Sequence, residues 1–337
     1  GHLSLTANTT GNSNVAMGCG AMAANTTGDC NVGIGINALD LNTTGTDNVA
    51  IGRDAAGCQT TASNNVAIGA ATLFKNTGAN NTAVGYLASM CNTTGSNNVA
   101  IGCGALKTNT TAGSNTAVGR LSLFDSTTGS FNTGLGVETL TNNTTGATNV
   151  AVGHQALKNN TTGGDNVSIG IQAGDGVTTG CKNILLGSYT ARSVTTGSNI
   201  LAVGWNSGSD AMINFSSSAA NTIALGNNSM TGSIIKVDWT VTSDLRDKMN
   251  IQDVPHGLDF VNQITPIKYD FKKSREDATP HGFTKYGFSA QEILALEGDN
   301  PVIINNQDTD ALKMTNSHLI PVLVNAIKEL KKEIDLL

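Results

Sequence analysis

Proline is nearly missing from most of this chain of 337 residues: there are five, and all of them (Pro255, Pro266, Pro280, Pro301 and Pro321) lie beyond residue 250. Charged side chains make up 13% and aromatics 4%. So little charge and proline excludes a chain held open by self-repulsion, and so few large apolar side chains exclude one thick core of the kind found in most enzymes. No basic stripe is present to displace counterions from a phosphate backbone, which excludes nucleic acid as a partner. No run of 18 apolar residues occurs, which excludes membrane insertion by a spanning helix. The six cysteines (Cys19, Cys30, Cys58, Cys91, Cys103 and Cys181) show no Cys-x-x-Cys spacing, and the five histidines are dispersed. No metal site and no cofactor is expected from them; the cysteines read as small hydrophobes or free thiols of a protein assembled inside a cell, the alternative being disulfides between non-equivalent rungs. The opening Gly-His-Leu-Ser-Leu-Thr has no initiator Met and no signal-peptide pattern, so the chain reads as a fragment or processed piece.

What is present is divided sharply. Of 39 glycines, 35 fall in residues 1–242, while 26 of the 44 formally charged residues fall in the last 95. Two different polymers therefore meet near residue 242. Three regions are expected: a repeat shaft over 1–204, transition or neck strands over 205–242, including a strand-like stretch over 234–242, and a small α+β domain over 243–337.

The long part is a repeat. Asn-Val-Ala-Met-Gly at Asn14 to Gly18 returns with its closing glycine 17 residues later at every step but one through Gly204, the exception being Gly69 to Gly85 at 16; Gly226 resumes the phase after 22. That makes thirteen copies. Within a copy Val49 and Ile51 share one strand face and Ala50 and Gly52 the other. A unit this short cannot bury itself, but copies stacked about 4.8 Å apart pair backbone to backbone into a rod on the order of 60 Å long. A missing N–H would break that ladder, which accounts for the missing proline. The spacing further predicts a second short strand at Ala38-Leu39 or Ala156-Leu157 and a turn at each Asn-Thr-Thr-Gly. The flat Ala/Gly face suggests close approach of another backbone, hence trimerisation through these rungs; the alternative is that the Ala/Gly positions only fit the inside of a narrow coil. The many Asn-x-Thr triplets follow from the turns rather than from glycosylation, and the scattered Tyr86, Phe124, Phe131, Tyr189 and Trp205 nominate no glycan site. The repeat resembles the head of trimeric autotransporter adhesins, whose shorter units also centre on Val-Ala-Ile-Gly, and phage tail-fibre shafts with Asn-Thr-Thr-Gly turns.

Beyond residue 242 the sequence opens with Ser243-Asp244-Leu245-Arg246-Asp247-Lys248. It continues through Leu258-Asp259-Phe260, Ile264 to Phe271 and Gly287 to Ile293 to a final helix. In that helix Ile320, Leu323, Ile327, Leu330, Ile334 and Leu337 are spaced as a heptad seam, with Pro321 tolerated only in the first turn. By rule, Ile at a and Leu at d lean towards two strands; the alternative is a single amphipathic helix packed on its own domain. A serine hydroxyl becomes a nucleophile when a desolvated lysine of lowered pKa takes its proton, and Ser243 with Lys248 supply the two groups. The alternative is that Ser243-Asp244 only caps a helix and Lys248 is solvated.

This order of segments resembles the self-cleaving, endosialidase-type intramolecular chaperone at the C-terminus of phage tailspikes and tail fibres. The resemblance implies a homotrimer in which the last domain drives trimerisation and folding, then cuts itself off between Thr242 and Ser243. Ser243 and Lys248 would be the catalytic dyad of this single-turnover serine peptidase, and Asp244 and Arg246 its supporting motif. It also implies a virion tail fibre assembled in the host cytoplasm, with other tail proteins and a host-surface glycan or protein receptor as partners. A bacterial trimeric surface adhesin is the alternative. A glycan depolymerase is disfavoured because Glu138 is the one glutamate of the repeats and no carboxylate pair is evident. The fold expected is thus mainly β: a trimeric β-roll or β-solenoid of 17-residue repeats, then a small α+β chaperone domain ending in a long helix.

Overall fold

The computed structural model describes residues 1–209, 214–227, 229–230, 243–272, 275–306, 309 and 312–337. They form two compact units, Gly1–Asn227 and Asn228–Leu337. The expected strand over 234–242 and the expected cleavage partner Thr242 lie outside the described residues.

The first unit is a β-solenoid. Thirteen short parallel strands, from β1 (Val15–Met17) to β13 (Thr222–Leu225), stack in strict sequence order. Equivalent residues face each other across every step, as in Val49↔Val66, Ala50↔Ala67 and Ile51↔Ile68. The ladder continues through the short step (Val66↔Thr82) and the long one (Ile200↔Thr222) without losing register.

The alternation along each strand is as the sequence implies, and of the two readings of the flat face the structure shows the interior of a narrow coil, not contact with another chain. The small residue of the strand points inwards: Ala50, Ala67, Ala83 and Ala100 are fully buried among Leu39, Leu73 and Leu106 of the same coil. The coil is so narrow that a small residue stands opposite those leucines, and the one inward leucine, Leu185, is accommodated against Gly174 of the returning chain. The flat face is therefore used up inside the coil, and Val49 and Ile51 look outwards.

The second half of each unit is not a strand. Asn37 and Leu39 both lie in the left-handed region (φ 56° and 52°), and the same alternation recurs at Gln155 and Leu157. The chain must curl back within a few residues while each N–H still reaches a neighbouring rung, as Asn37 N–H reaches Cys19 O and Leu39 N–H reaches Ala55 O. A left-handed leucine costs about 1–2 kcal/mol, which full burial of its side chain, worth about 1.5–3 kcal/mol, offsets.

Two buried asparagine ladders supply the specificity that so small an apolar core lacks. In the ladder before the strands, the Asn48 side-chain oxygen accepts from the Asn65 N–H (3.0 Å) and its amide donates to Ala62 O (2.9 Å). In the turn ladder, the Asn25 amide donates to Gly28 O (3.1 Å) and to Asn8 Oδ1 (2.9 Å), and Asn42 repeats this one rung on. The asparagines of the Asn-Thr-Thr turns are thus interior residues, with Asn25, Asn42 and Asn109 fully buried. The turn ladder is interrupted where residue 126 is serine and 177 valine, and on one side at residue 59, where glutamine accepts from Asn76 at 3.2 Å but does not reach back to Asn42. Three of the side-chain oxygens without a partner, those of Asn42, Asn109 and Asn160, sit one rung before these interruptions. All six cysteines carry free thiols.

The second unit contains α1 (Leu258–Gln263), the antiparallel pair β14 (Ile267–Lys272) and β15 (Pro280–Gly287), and α2 (Ala290–Glu297). The short pair β16 (Ile304–Asn305) and β17 (Lys313–Met314) follows, and then α3 (Leu319–Ile334). Its core gathers Phe260, Ile293, Ile303, Ile304, Leu319 and Val322. Ser289 starts α2 by accepting the Glu292 N–H, and Gly298 ends it with a left-handed φ of 71°.

Candidate functional site

Within the second unit, the segment 243–248 folds back on itself over six residues. Asp244 caps a single 3-10 turn, Leu245–Asp247, by accepting the Arg246 N–H at 2.9 Å. The Lys248 N–H then closes on Leu245 O at 3.1 Å. This reversal brings the ends of the segment together, and Lys248 Nζ lies 2.8 Å from Ser243 Oγ, donating to it. Arg246 grips the Asp244 carboxylate through Nε and Nη2, the latter at 2.6 Å. The Arg246 side chain, and then its backbone N–H, hold the Asp244 carboxyl below its usual range, while Asp244 raises Arg246. Asp244 and Arg246 therefore brace the turn that apposes Ser243 and Lys248. Both of these are solvent-exposed in the single chain, so the capping arrangement and the Ser–Lys contact coexist. Thr242, the third residue expected at the site, lies outside the described residues.

Two further residues act on the strap that follows. The Asn325 amide donates to His256 O at 2.9 Å, and Glu329 Oε2 accepts the Leu258 N–H at 2.6 Å. They sit one helical turn apart on α3 and tie residues 256–258 to it. Another carboxylate, Glu297 at the end of α2, accepts the N–H groups of Val302, Ile303 and Ile304. None of these stood out in the sequence; the one available sign was a polar pair at i, i+4 on an otherwise apolar-patterned helix.

The helix α3 is apolar on two sides. Leu319, Val322 and Ala326 are buried against the unit's own core. The heptad seam is a different face and is open: Ile320 is 60%, Ile327 66% and Ile334 59% exposed. Pro321 falls in the first turn, where its missing N–H costs nothing.

In the shaft, Glu138 is bound by Arg120 (2.6 Å), Gln155 (2.9 Å) and Lys158 (3.0 Å) from neighbouring rungs. The hydrogen bonds from Gln155, then Lys158 and Arg120, lower its pKa to about 2. A carboxylate held ionised in this way is the reverse of a glycosidase acid, whose pKa must be raised. Among the described residues no helix is long and apolar enough to cross a membrane.

Residues 243–300 match the family model described as chaperone of endosialidase. No curated protein and no solved structure matches the chain. The match begins at the serine that Lys248 contacts and ends before α3. Behind a β-solenoid of 17-residue turns, the chain thus carries a C-terminal chaperone-of-endosialidase domain.

Proposed function

We propose that the protein is a subunit of a trimeric phage tail fibre or tailspike that attaches to a host surface, and that its last domain assembles the trimer and then cuts itself free. Long β-topologies fold slowly and pair out of register, so a detachable nucleus that aligns three solenoids has a physical purpose. Its removal leaves the shaft kinetically trapped. The exposed seam of α3 is the surface through which the domains meet.

The observation that carries the cleavage is the 2.8 Å contact between Lys248 Nζ and Ser243 Oγ at the first residue of the family match. In this reading neutral Lys248 takes the hydroxyl proton and Ser243 Oγ attacks the Thr242 carbonyl carbon. The C–N bond breaks as Lys248 returns the proton to the Ser243 amine, and water hydrolyses the resulting ester to a Thr242 carboxylate. A neutral lysine needs a dry site, and both groups are exposed in one chain, so the reaction waits for assembly to cover them. The test is the mass of the purified products. Wild type should release residues 243–337, whereas Ser243→Ala and Lys248→Ala should stay whole; an intact wild type under conditions where the trimer has formed refutes the cleavage.

A further inference from the structure

The outer face of the shaft sheet is made of two columns of side chains, one on each side of the inward alanine. The first is valine in most rungs, with Thr82, Thr116 and Thr133 as its polar members; the second is isoleucine, valine, leucine or methionine throughout. Neither column contains a charge over all thirteen strands. The second column is the more accessible, with Ile51 36%, Ile101 40%, Leu135 47% and Ile169 43% exposed; the first is half-buried in most rungs, as at Val49 and Val99. Parallel sheets that are apolar on both faces are covered on both, and here the coil covers only the inner one.

We infer that this outer face is covered by the same face of further copies of this chain, lying parallel and in register. At a strand spacing of about 4.8 Å the columns run for roughly 58 Å and about 10 Å across. That is roughly 600 Å², the upper end of what a monomer leaves exposed and close to the ~800 Å² each partner contributes to a stable interface. An apolar ridge of such length and period is matched along its whole course by a surface of the same period, which a second copy supplies. Register adds a second match, since equivalent rungs set Thr116 against Thr116 and keep threonine hydroxyls together. The length variants of the repeat point the same way. The 16-residue step and the 22-residue step both leave the strand register unbroken, as at Val66↔Thr82 and Ile200↔Thr222, so their irregularity is absorbed away from this face.

The number of copies rests on the trimeric reading above; the face and the register do not. The test places a photo-crosslinking benzoyl-phenylalanine at Val118 on the outer face, and separately at the exposed corner residue Thr94, in the full-length Ser243→Ala chain. Light scattering gives the mass of each sample before irradiation. Position 118 should yield covalent chain–chain products mapping to residues 101–135 of the other copy, and position 94 none. Ile101→Lys with Leu135→Lys, both in the outward column and exposed, should preserve the solenoid's circular dichroism and lower its melting temperature as the faces part. A trimer without crosslinks from position 118, or with crosslinks to distant rungs, or a double variant that melts with wild type, overturns this inference and leaves the trimeric fibre standing. A wild-type chain that weighs as a monomer overturns both.

Discussion

Ser126→Asn should stabilise the middle of the shaft, and the gain can be worked from the turn ladder. Ser126 is fully buried and its hydroxyl has no partner, and neither has the Oδ1 of Asn109 one rung before it. On the other side the Asn143 amide reaches only Gly146 O, at 2.9 Å. In intact rungs the same amide makes a second bond backwards, as Asn109 does to Asn92 Oδ1 at 2.6 Å. An asparagine at 126 restores three bonds: its amide to Asn109 Oδ1 and to Gly129 O, and its oxygen to the Asn143 amide. Room exists because residue 129 is still the glycine against which the asparagine oxygen lies in intact turns, as Asn143 Oδ1 does at Gly146. Relief of one orphaned buried oxygen is worth about 1–3 kcal/mol and each further bond about 1, opposed by about 1 kcal/mol of side-chain ordering. The net is a gain of about 2–4 kcal/mol, or more than tenfold slower opening. Hydrogen exchange followed by mass spectrometry on peptides spanning 105–146 reads this locally, which suits a solenoid whose rungs open separately. Asn92→Ser is the reverse change and should accelerate exchange comparably. Unchanged exchange in Ser126→Asn, with Asn92→Ser also silent, would show that the ladder carries no energy.

The pH response of the shaft should carry the signature of Glu138. Its folded pKa of about 2 lies below the ordinary 4.5, so its contribution to stability is complete above the latter and is lost as pH falls towards the former; melting midpoints between pH 5 and 2 should drop less steeply in Glu138→Gln than in wild type. Glycine substitutions should divide by what surrounds them. At Gly52 (φ 134°) an added Cβ would stand 2.6 Å from Gly69 O of the next rung, whereas at Gly298 (φ 71°) it would meet nothing within 4 Å. Chemical denaturation should therefore show Gly52→Ala costing at least about 3 kcal/mol and Gly298→Ala about 1.

The strand, its register and its stacking were legible because a repeat states the same geometry thirteen times, and because a strict step from glycine to glycine leaves room for only one pairing. The two-polymer split was legible for a similar reason: a backbone ladder excludes proline wherever it runs, and an ordinary α+β domain does not. Leu39 shows where local reading stopped. An Ala-Leu pair beside a turn reads as a strand, but only the closure of a narrow coil forces that leucine into left-handed geometry while its side chain stays inside.

At the candidate site the residue types and their order were in the chain, and Ser243, Asp244, Arg246 and Lys248 needed no tertiary information to be singled out. Their mutual distances came from the 3-10 turn, and the grip of Asn325 and Glu329 on the strap came from α3 packing beside it, a contact about 70 residues away in sequence. The direction of the shaft's faces belongs to the same class of facts. Alternation along a strand separates Val49 and Ile51 from Ala50 with certainty, since successive side chains point to opposite sides. Which side becomes interior depends on how much volume the returning chain leaves within the coil, and that volume exists only once Leu39, Leu73 and their equivalents have folded across it.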